Sequence, residues 1–345
     1  MLKNNRHQTS RIQTETCQVI FNNSLYNLSC DNSITNQQQP RPLELKSNID
    51  NQIEKKKGMQ ETSLPRQNFN IHQFYTNHIN KNKPALYSNA CETWNSTKVW
   101  NENYLAKTGG TEQVPIVVGG CEETTGGNRT RKRIEMPFNT FIHSLYNNSN
   151  TTTTTKNHHN KSKNNNGYLK QYNLAASPLR KDVMPEELFS KWATFGDCNV
   201  WMGSEGIGIK TGLHNDDEEN VLCQIRGQKR VLLIAPEERL NLYVNQLYDS
   251  GTECCDVNAS NPNLMLHPLF QHVKKMYVID LEPGDVLYIP KFWYHEVWPI
   301  GNISISVNYF CSTPMEMIRY GIMRIGFDLL HWIGLYRNGH CVCHN

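Results

Sequence analysis

Two histidines and one aspartate carry the sharpest chemical signal in the chain. Leu213-His214-Asn215-Asp216 sets an imidazole and a carboxylate two residues apart, and on a strand such residues share a face. His214 and Asp216 can therefore offer adjacent ligands to one cation. His295 follows 81 residues later in Ile289-Pro290-Lys291-Phe292-Trp293-Tyr294-His295. It comes after a Pro-Gly-Asp turn and an apolar strand, so an antiparallel barrel can bring it beside His214. Two imidazoles and one carboxylate on one face of an octahedron leave three positions open, the arrangement of non-haem Fe(II) oxygenase centres. Zinc is the rival metal, though it commonly takes four ligands, or three and a water.

Such a site needs strands gathered from distant parts of the chain, and from Asn199 onward they are present. Val221 to Ile225, Arg230 to Ile234, Val286 to Ile289 and Ile303 to Phe310 are short runs rich in β-branched and aromatic residues. Turn chemistry separates them at Arg226-Gly227-Gln228 and Glu282-Pro283-Gly284-Asp285. Many short strands bounded by turns indicate an antiparallel sandwich or barrel rather than a parallel βαβ sheet. In the last run Ile303, Ile305, Val307 and Tyr309 share one face. Ser304, Ser306 and Asn308 then form a polar face suited to lining a cavity or to facing water.

Upstream, Phe69 to Asn80 reads as a short helix, Lys83 to Tyr87 as the start of a strand, and Val114 to Val118 as an apolar strand. Pro137 opens a further helix. Downstream, Ile318, Ile322, Ile325, Leu329, Trp332 and Ile333 recur at helical spacing between Pro314 and Tyr336. They predict an amphipathic helix or helix pair covering the barrel.

At 345 residues the chain has room for one large domain with extensions or for two ordinary ones. Its mean hydropathy of -0.62 comes mostly from uncharged amides, about forty of them Asn, which marks low-complexity polar tracts. Residues 1–65 show no sustained periodicity and are expected to be a disordered tail. A tract at 147–166, with five threonines from Thr151 to Thr155, reads as a solvated insertion in a surface loop.

The net charge of +3 belongs to the N-terminal part. Residues 1–70 hold nine Lys/Arg against six Asp/Glu, and the rest of the chain holds 26 of each. A neutral body argues against a polyanion as main partner, and Arg129-Thr130-Arg131-Lys132-Arg133 reads as a basic loop or a local phosphate contact. No apolar run is long enough to span a membrane, and Met1 to Ile20 lacks the apolar core of a secretory leader. Eleven cysteines at irregular spacings suit a reduced protein of the cytoplasm or nucleus.

The ordered succession of motifs is more specific than any one of them. Thr211-Gly212-Leu213-His214-Asn215-Asp216 is followed by Asn220 and by Gln224-Ile225-Arg226-Gly227-Gln228-Lys229. Then come Pro283-Gly284-Asp285-Val286-Leu287-Tyr288-Ile289-Pro290 with Trp293 and His295, and Ser306-Val307-Asn308-Tyr309. The series resembles the JmjC family, more narrowly its cupin-8 branch of Fe(II)/2-oxoglutarate oxygenases. The match runs with gaps from about Arg66 to Phe310 and takes in Lys83-Pro84, Tyr104-Leu105, Tyr168-Leu169 and Leu179-Arg180-Lys181-Asp182.

The resemblance implies a mainly β fold, a double-stranded β-helix or jelly-roll over residues 66–313, with flanking helices and a helical segment and Cys/His tail at 314–345. It implies Fe(II) held by His214, Asp216 and His295, with 2-oxoglutarate as cosubstrate. Lys229, fifteen residues after His214, matches the lysine that anchors the distal carboxylate, a charge-assisted pairing. Thr211 and Tyr168 would add hydroxyls to that carboxylate. Asn220 and Asn308 match amides near the metal and the 1-carboxylate. The implied reaction converts O2 and 2-oxoglutarate to succinate and CO2 while a substrate C–H is hydroxylated. A protein side chain is the expected substrate. The alternatives are tRNA base hydroxylation of the wybutosine type, lysine demethylation, and a non-catalytic cupin-like binding module. Relatives that pair through C-terminal helices imply a homodimer through Met315 to Tyr336.

Three features remain. Asp217-Glu218-Glu219 reads as an acidic loop able to attract a basic substrate. Cys254-Cys255 is either a redox pair or two small residues. His340-Cys341-Val342-Cys343-His344 gathers possible ligands without the Cys-x2-Cys spacing of a zinc site.

Overall fold

The computed structural model describes residues 17–21, 24–28, 59–118, 132–149, 167–189, 195–205, 208–316, 318 and 321–341. The chain divides into two units, Met1–Glu54 and Lys55–Asn345. In the first, β1 (Cys17–Phe21) and β2 (Ser24–Leu28) pair antiparallel, from Cys17 opposite Leu28 to Phe21 opposite Ser24. Val19, Ile20, Phe21 and Tyr26 are residue types that favour strands, which accounts for a strand pair inside the tract that composition reads as disordered.

The second unit is built on thirteen strands. They are β3 (Gln60–Thr62), β4 (Arg66–Gln67), β5 (Ala85–Tyr87), β6 (Gln113–Val118), β7 (Lys132–Pro137), β8 (Gly167–Asn173) and β9 (Phe195–Gly203). After them come β10 (Thr211–Asp216), β11 (Glu219–Ile234), β12 (Thr252–Cys254), β13 (Lys275–Leu281), β14 (Val286–Ile289) and β15 (Tyr294–Ser312). Strand β3 lies ahead of the boundary expected at residue 65 and pairs parallel with β13. The other pairings are antiparallel except β4 with β5.

Two long strands make the jelly-roll. The first half of β11 lies between β14 and the second half of β15, and that layer continues through β9, β8, β6 and β7. The second half of β11 lies between β13 and the first half of β15, which goes on to β10 and β12. The sequence predicts two strands separated by a turn at Gly227; the structure has one bent strand. Gly227 takes φ +61°, where a Cβ would fall 1.7 Å from the Ile303 carbonyl oxygen, so only glycine fits. The ladder to β15 shifts register there and continues, a bulge rather than a reversal.

Alternation along these strands sorts the core. Val221, Cys223 and Ile225 of β11, with Ile305, Val307 and Tyr309 of β15, pack outward against Trp94, Trp100, Phe138 and Phe141. Leu222, Val231 and Leu233 form a second cluster with Leu287 and Ile289. Lys229 shares the strand face of Val231 and Leu233, where each neighbour gains about 2 kcal/mol from burial and a lone ammonium gains nothing.

The helices follow the expected punctuation with local differences. The Asn70 side chain accepts from Gln73 N at the start of Ile71–Gln73, after which the coil widens over Phe74–His78 and tightens over Ile79–Lys81. Phe138–Ser149 runs into the first residues of the tract read as an insertion; residues 150–166 lie outside those described. The C-terminal segment holds Pro314–Glu316 and Ile322–Trp332. Among the described residues no helix is long and apolar enough to cross a membrane.

Candidate metal centre and its cavity

Strand register brings the three predicted ligands together. In the β10–β15 ladder His214 lies directly opposite His295. Burial alternates along β10, with Leu213 and Asn215 buried and His214 and Asp216 half-buried beside the cavity. The two imidazole centroids are 4.1 Å apart. Asp216 Oδ2 lies 3.9 Å from His214 Nε2 and 3.5 Å from His295 Nε2, and the three candidate ligand atoms fall within 4.8 Å of one another.

The surrounding bonds prepare these atoms for a cation. His214 Nδ1 donates to the Gly212 carbonyl at 2.8 Å and His295 Nδ1 to the Trp293 carbonyl at 3.0 Å. A carbonyl can only accept, so each Nδ1 carries the proton and each Nε2 turns a lone pair to the site. Burial, and next the neighbouring His295, lower the His214 pKa to about 4, with Lys170 also contributing; the ring is neutral at pH 7. Thr252 Oγ1 of β12 donates to Asp216 Oδ1 at 3.2 Å. Asp216 Oδ2 is buried with no hydrogen-bond partner among the described residues. An orphaned carboxylate oxygen costs about 1–3 kcal/mol or more, and its position facing two imidazole lone pairs fits one divalent ion.

The ligands open into a cavity of about 480 Å³ that also takes Lys229, Thr211, Tyr168, Asn220 and Asn308 in its walls. Lys229 is 1% exposed. Its Nζ donates to Ser306 Oγ, and no carboxylate pairs with it among the described residues. Burial alone lowers its pKa to about 7. An ammonium kept among leucines and valines is well prepared for an anion delivered through the cavity. Asn308 Nδ2 donates to Asn220 Oδ1 at 3.2 Å, and Trp201 Nε1 donates to Asn308 Oδ1 at 2.7 Å. Tyr168 packs on Trp201 at 6.4 Å. A Cβ on Gly203 would fall 2.2 Å from the Tyr168 ring, so that phenol is held by close backbone approach.

Several participants escape sequence reasoning. Thr252 lies on a three-residue strand without pattern, and Trp201 shows its role only through a cross-strand bond. Glu219, read as part of an acidic loop, is buried. Its Oε2 accepts from the Tyr288 hydroxyl at 2.6 Å and from Lys291 N at 3.1 Å, and burial raises its pKa. Phe292 N donates to the Asp216 carbonyl at 2.7 Å, so this corner ties the segment before His295 to the end of β10. Arg324 takes up the other acids of that loop, Asp217 at 3.3 Å and Glu218 at 3.7 Å.

Cys254 stands opposite His214 in the β10–β12 register and lines the cavity. Burial pushes the Cys255 thiol well up, away from redox reactivity. Cys341 is buried and bridges to Tyr248; residues 342–345, with Cys343 and His344, lie outside those described.

The C-terminal helix departs from the expected cover. Asp328 accepts from the hydroxyls of Tyr248 and of Ser250, the latter at 2.9 Å, and His331 is buried. Ile322, Ile325, Leu329 and Trp332 are exposed, Trp332 by 80%. The polar side faces the barrel and the apolar side is open.

Over residues 71–317 the sequence matches the cupin-like domain family, and the chain belongs to that family, within the JmjC/cupin group. It is 26% identical over 280 residues to a lysine-specific demethylase, JMJ31, of Arabidopsis thaliana, covering 72% of this chain and 50% of that protein. It is 26% identical over 227 residues to tRNA wybutosine-synthesizing protein 5 of Homo sapiens, covering 65% of this chain and 70% of that protein. With Jumonji C domain-containing protein 5 of Drosophila melanogaster it shares 28% over 235 residues, 66% and 54% of the two chains. The chain thus spans about half the length of the plant and fly relatives.

Proposed function

We propose that this chain is an Fe(II)- and 2-oxoglutarate-dependent dioxygenase that hydroxylates a protein side chain. One observation carries the reading. A buried carboxylate oxygen without a hydrogen-bond partner among the described residues, facing two imidazole lone pairs, shares its cavity with a buried lysine that no acid among the described residues neutralises. Each is unfavourable alone; together they suit a divalent cation and a dianionic cosubstrate. His214, Asp216 and His295 would hold the metal. Bound there, Fe(II) supplies O2 activation coupled to decarboxylation of 2-oxoglutarate, giving succinate and CO2.

The protein's own residues do the rest. The carbonyls of Gly212 and Trp293 fix the imidazole tautomers. Thr252 orients Asp216, leaving one oxygen for the ion. Lys229, with Thr211 and Tyr168 near it in the cavity wall, would receive the distal carboxylate. Asn220 and Asn308, locked by Trp201, present amides toward the metal side. Walls of Leu222, Ile289 and Val297 exclude water from the reacting centre.

The charge balance beyond residue 70 supports a protein substrate over RNA. The tRNA reading keeps support from the human relative, which is matched over 70% of its length. Measuring succinate from 2-oxoglutarate with peptide and tRNA pools tests both: stimulation by peptides is expected, and stimulation by tRNA alone overturns the protein-substrate reading. A folded, metal-loaded chain that forms no succinate would instead be a binding module. We also propose that the open apolar side of Ile322–Trp332 joins two copies; light scattering that gives a monomer at micromolar concentration refutes it.

A further inference from the structure

We infer that the prime substrate is a polypeptide segment carrying an acidic side chain close to the residue that enters the site, and that Arg133 and Lys170 receive that acid. The inference rests on the oxygenase reading above and names its substrate class.

The basic run noted in the sequence leads into β7, and its last member, Arg133, reaches the cavity wall. Val117 of β6 stands between Arg133 on β7 and Tyr168 on β8 in the ladder. Arg133, Val117 and Tyr168 therefore form one row across three strands, and Lys170 lines the cavity two residues beyond Tyr168. Arg133 is exposed and no acid pairs with it among the described residues. Immediately after Lys170, Gln171 takes φ +54°, a left-handed conformation that non-glycine residues rarely adopt. The β8–β9 register shifts over the same stretch. Strain at a cavity wall is a common mark of a functional position.

These cations are not equivalent to Lys229. Lys229 lies buried among barrel side chains, whereas Arg133 stands at the rim, where a chain threading one residue inward presents that residue's neighbours. A guanidinium there can take a carboxylate in two parallel hydrogen bonds. The same rim argues for a peptide over a polynucleotide. It includes Asp249 and Ser250, and the chain beyond residue 70 carries equal numbers of basic and acidic residues. A phosphodiester backbone needs a continuous positive surface; one acid among neutral neighbours needs only this row.

The test uses the whole chain with Fe(II) and 2-oxoglutarate, and three probes. These are a fluorescently labelled random peptide pool rich in Glu, a matched pool with Lys for Glu, and total tRNA. The Glu pool is expected to bind about ten-fold more tightly by anisotropy and to raise succinate release the most. Arg133→Glu with Lys170→Glu is expected to reverse the order of the two pools, and Arg133→Gln to reduce the preference several-fold. Preference of the unaltered chain for the Lys pool or for tRNA overturns the inference. So does a Glu preference that survives both charge reversals. Succinate formed without any probe reports on the oxygenase reading alone, so failure of that reading and failure of this one are seen in different measurements.

Discussion

Two aspartates, one buried and one half-buried with a buried oxygen, invite comparison. Asp182 ends the turn Pro178–Asp182 and is 1% exposed. It accepts hydrogen bonds from Asn95 Nδ2 at 2.6 Å, Trp100 Nε1 at 2.9 Å and the Tyr104 hydroxyl at 2.7 Å. Asp216 has one such donor, Thr252 at 3.2 Å, and a second oxygen left bare. Both are carboxylates on ordered backbone in the same domain. The first has donors on both oxygens and fastens the helical side of the barrel to the turn. The second keeps an oxygen in reserve beside two imidazoles, a loss of stability that only a ligand can offset.

The largest expected effect separates the two. Asp216→Ala or His214→Ala should weaken Fe(II) or Co(II) binding by about 100-fold or more, read by titration, while the metal-free protein melts no lower than before. Asp182→Ala should leave metal binding of the folded fraction intact and lower unfolding free energy by about 2 kcal/mol in urea, since three donors, the buried Trp100 indole among them, lose their acceptor. If Asp216→Ala destabilises the metal-free chain as much as Asp182→Ala, the distinction fails.

Lys229→Met extends the same logic to a cation. It should raise the 2-oxoglutarate requirement by about 100-fold, seen as KM in the succinate assay. It should also stabilise the metal-free protein by about 1–3 kcal/mol, because a buried unpaired charge gives way to an apolar chain. An unchanged requirement removes Lys229 from the anchoring role.

A pH series follows from the same residue. Burial lowers the Lys229 pKa from 10.5 to about 7, so the unfolded chain holds a proton between those values that the folded one does not. Stability of the metal-free protein should therefore rise with pH across that window, and the penalty should be complete below pH 7. Anchoring needs the ammonium, so 2-oxoglutarate affinity should fall by about ten-fold per unit above pH 7. Calorimetry should show proton uptake on binding at pH 8 that disappears in Lys229→Met.

The smallest contrast concerns single donors. Thr252→Val should weaken metal binding by about ten-fold with little change in stability. Tyr104→Phe should lower stability by about 1 kcal/mol with no change in metal affinity.

Much of the site is legible in the sequence because alternation reports directly on strand faces. His214 and Asp216 fall two apart on β10, and Ser304, Ser306 and Asn308 alternate with outward apolar residues on β15. The pairing of His214 with His295 is not a local property. It depends on the β10–β15 register, which resemblance could supply and periodicity could not. The bend at Gly227 misleads for a physical reason: a left-handed glycine serves equally in a turn and in a bulge, and only the partner strand decides. Thr252, Trp201 and Glu219 are invisible for another reason. Each acts through one bond to a residue far along the chain, and no spacing encodes that.

The C-terminal helix grips the rim from outside. Arg324 draws in the acids that follow Asp216, and Asp328 clasps two hydroxyls of the loop that contributes Ser250 to the cavity. Whatever docks on its open apolar flank therefore holds a lever on the doorway. An occupant there would sit on the helix whose other side holds Asp217, next to Asp216, and Ser250 of the cavity wall.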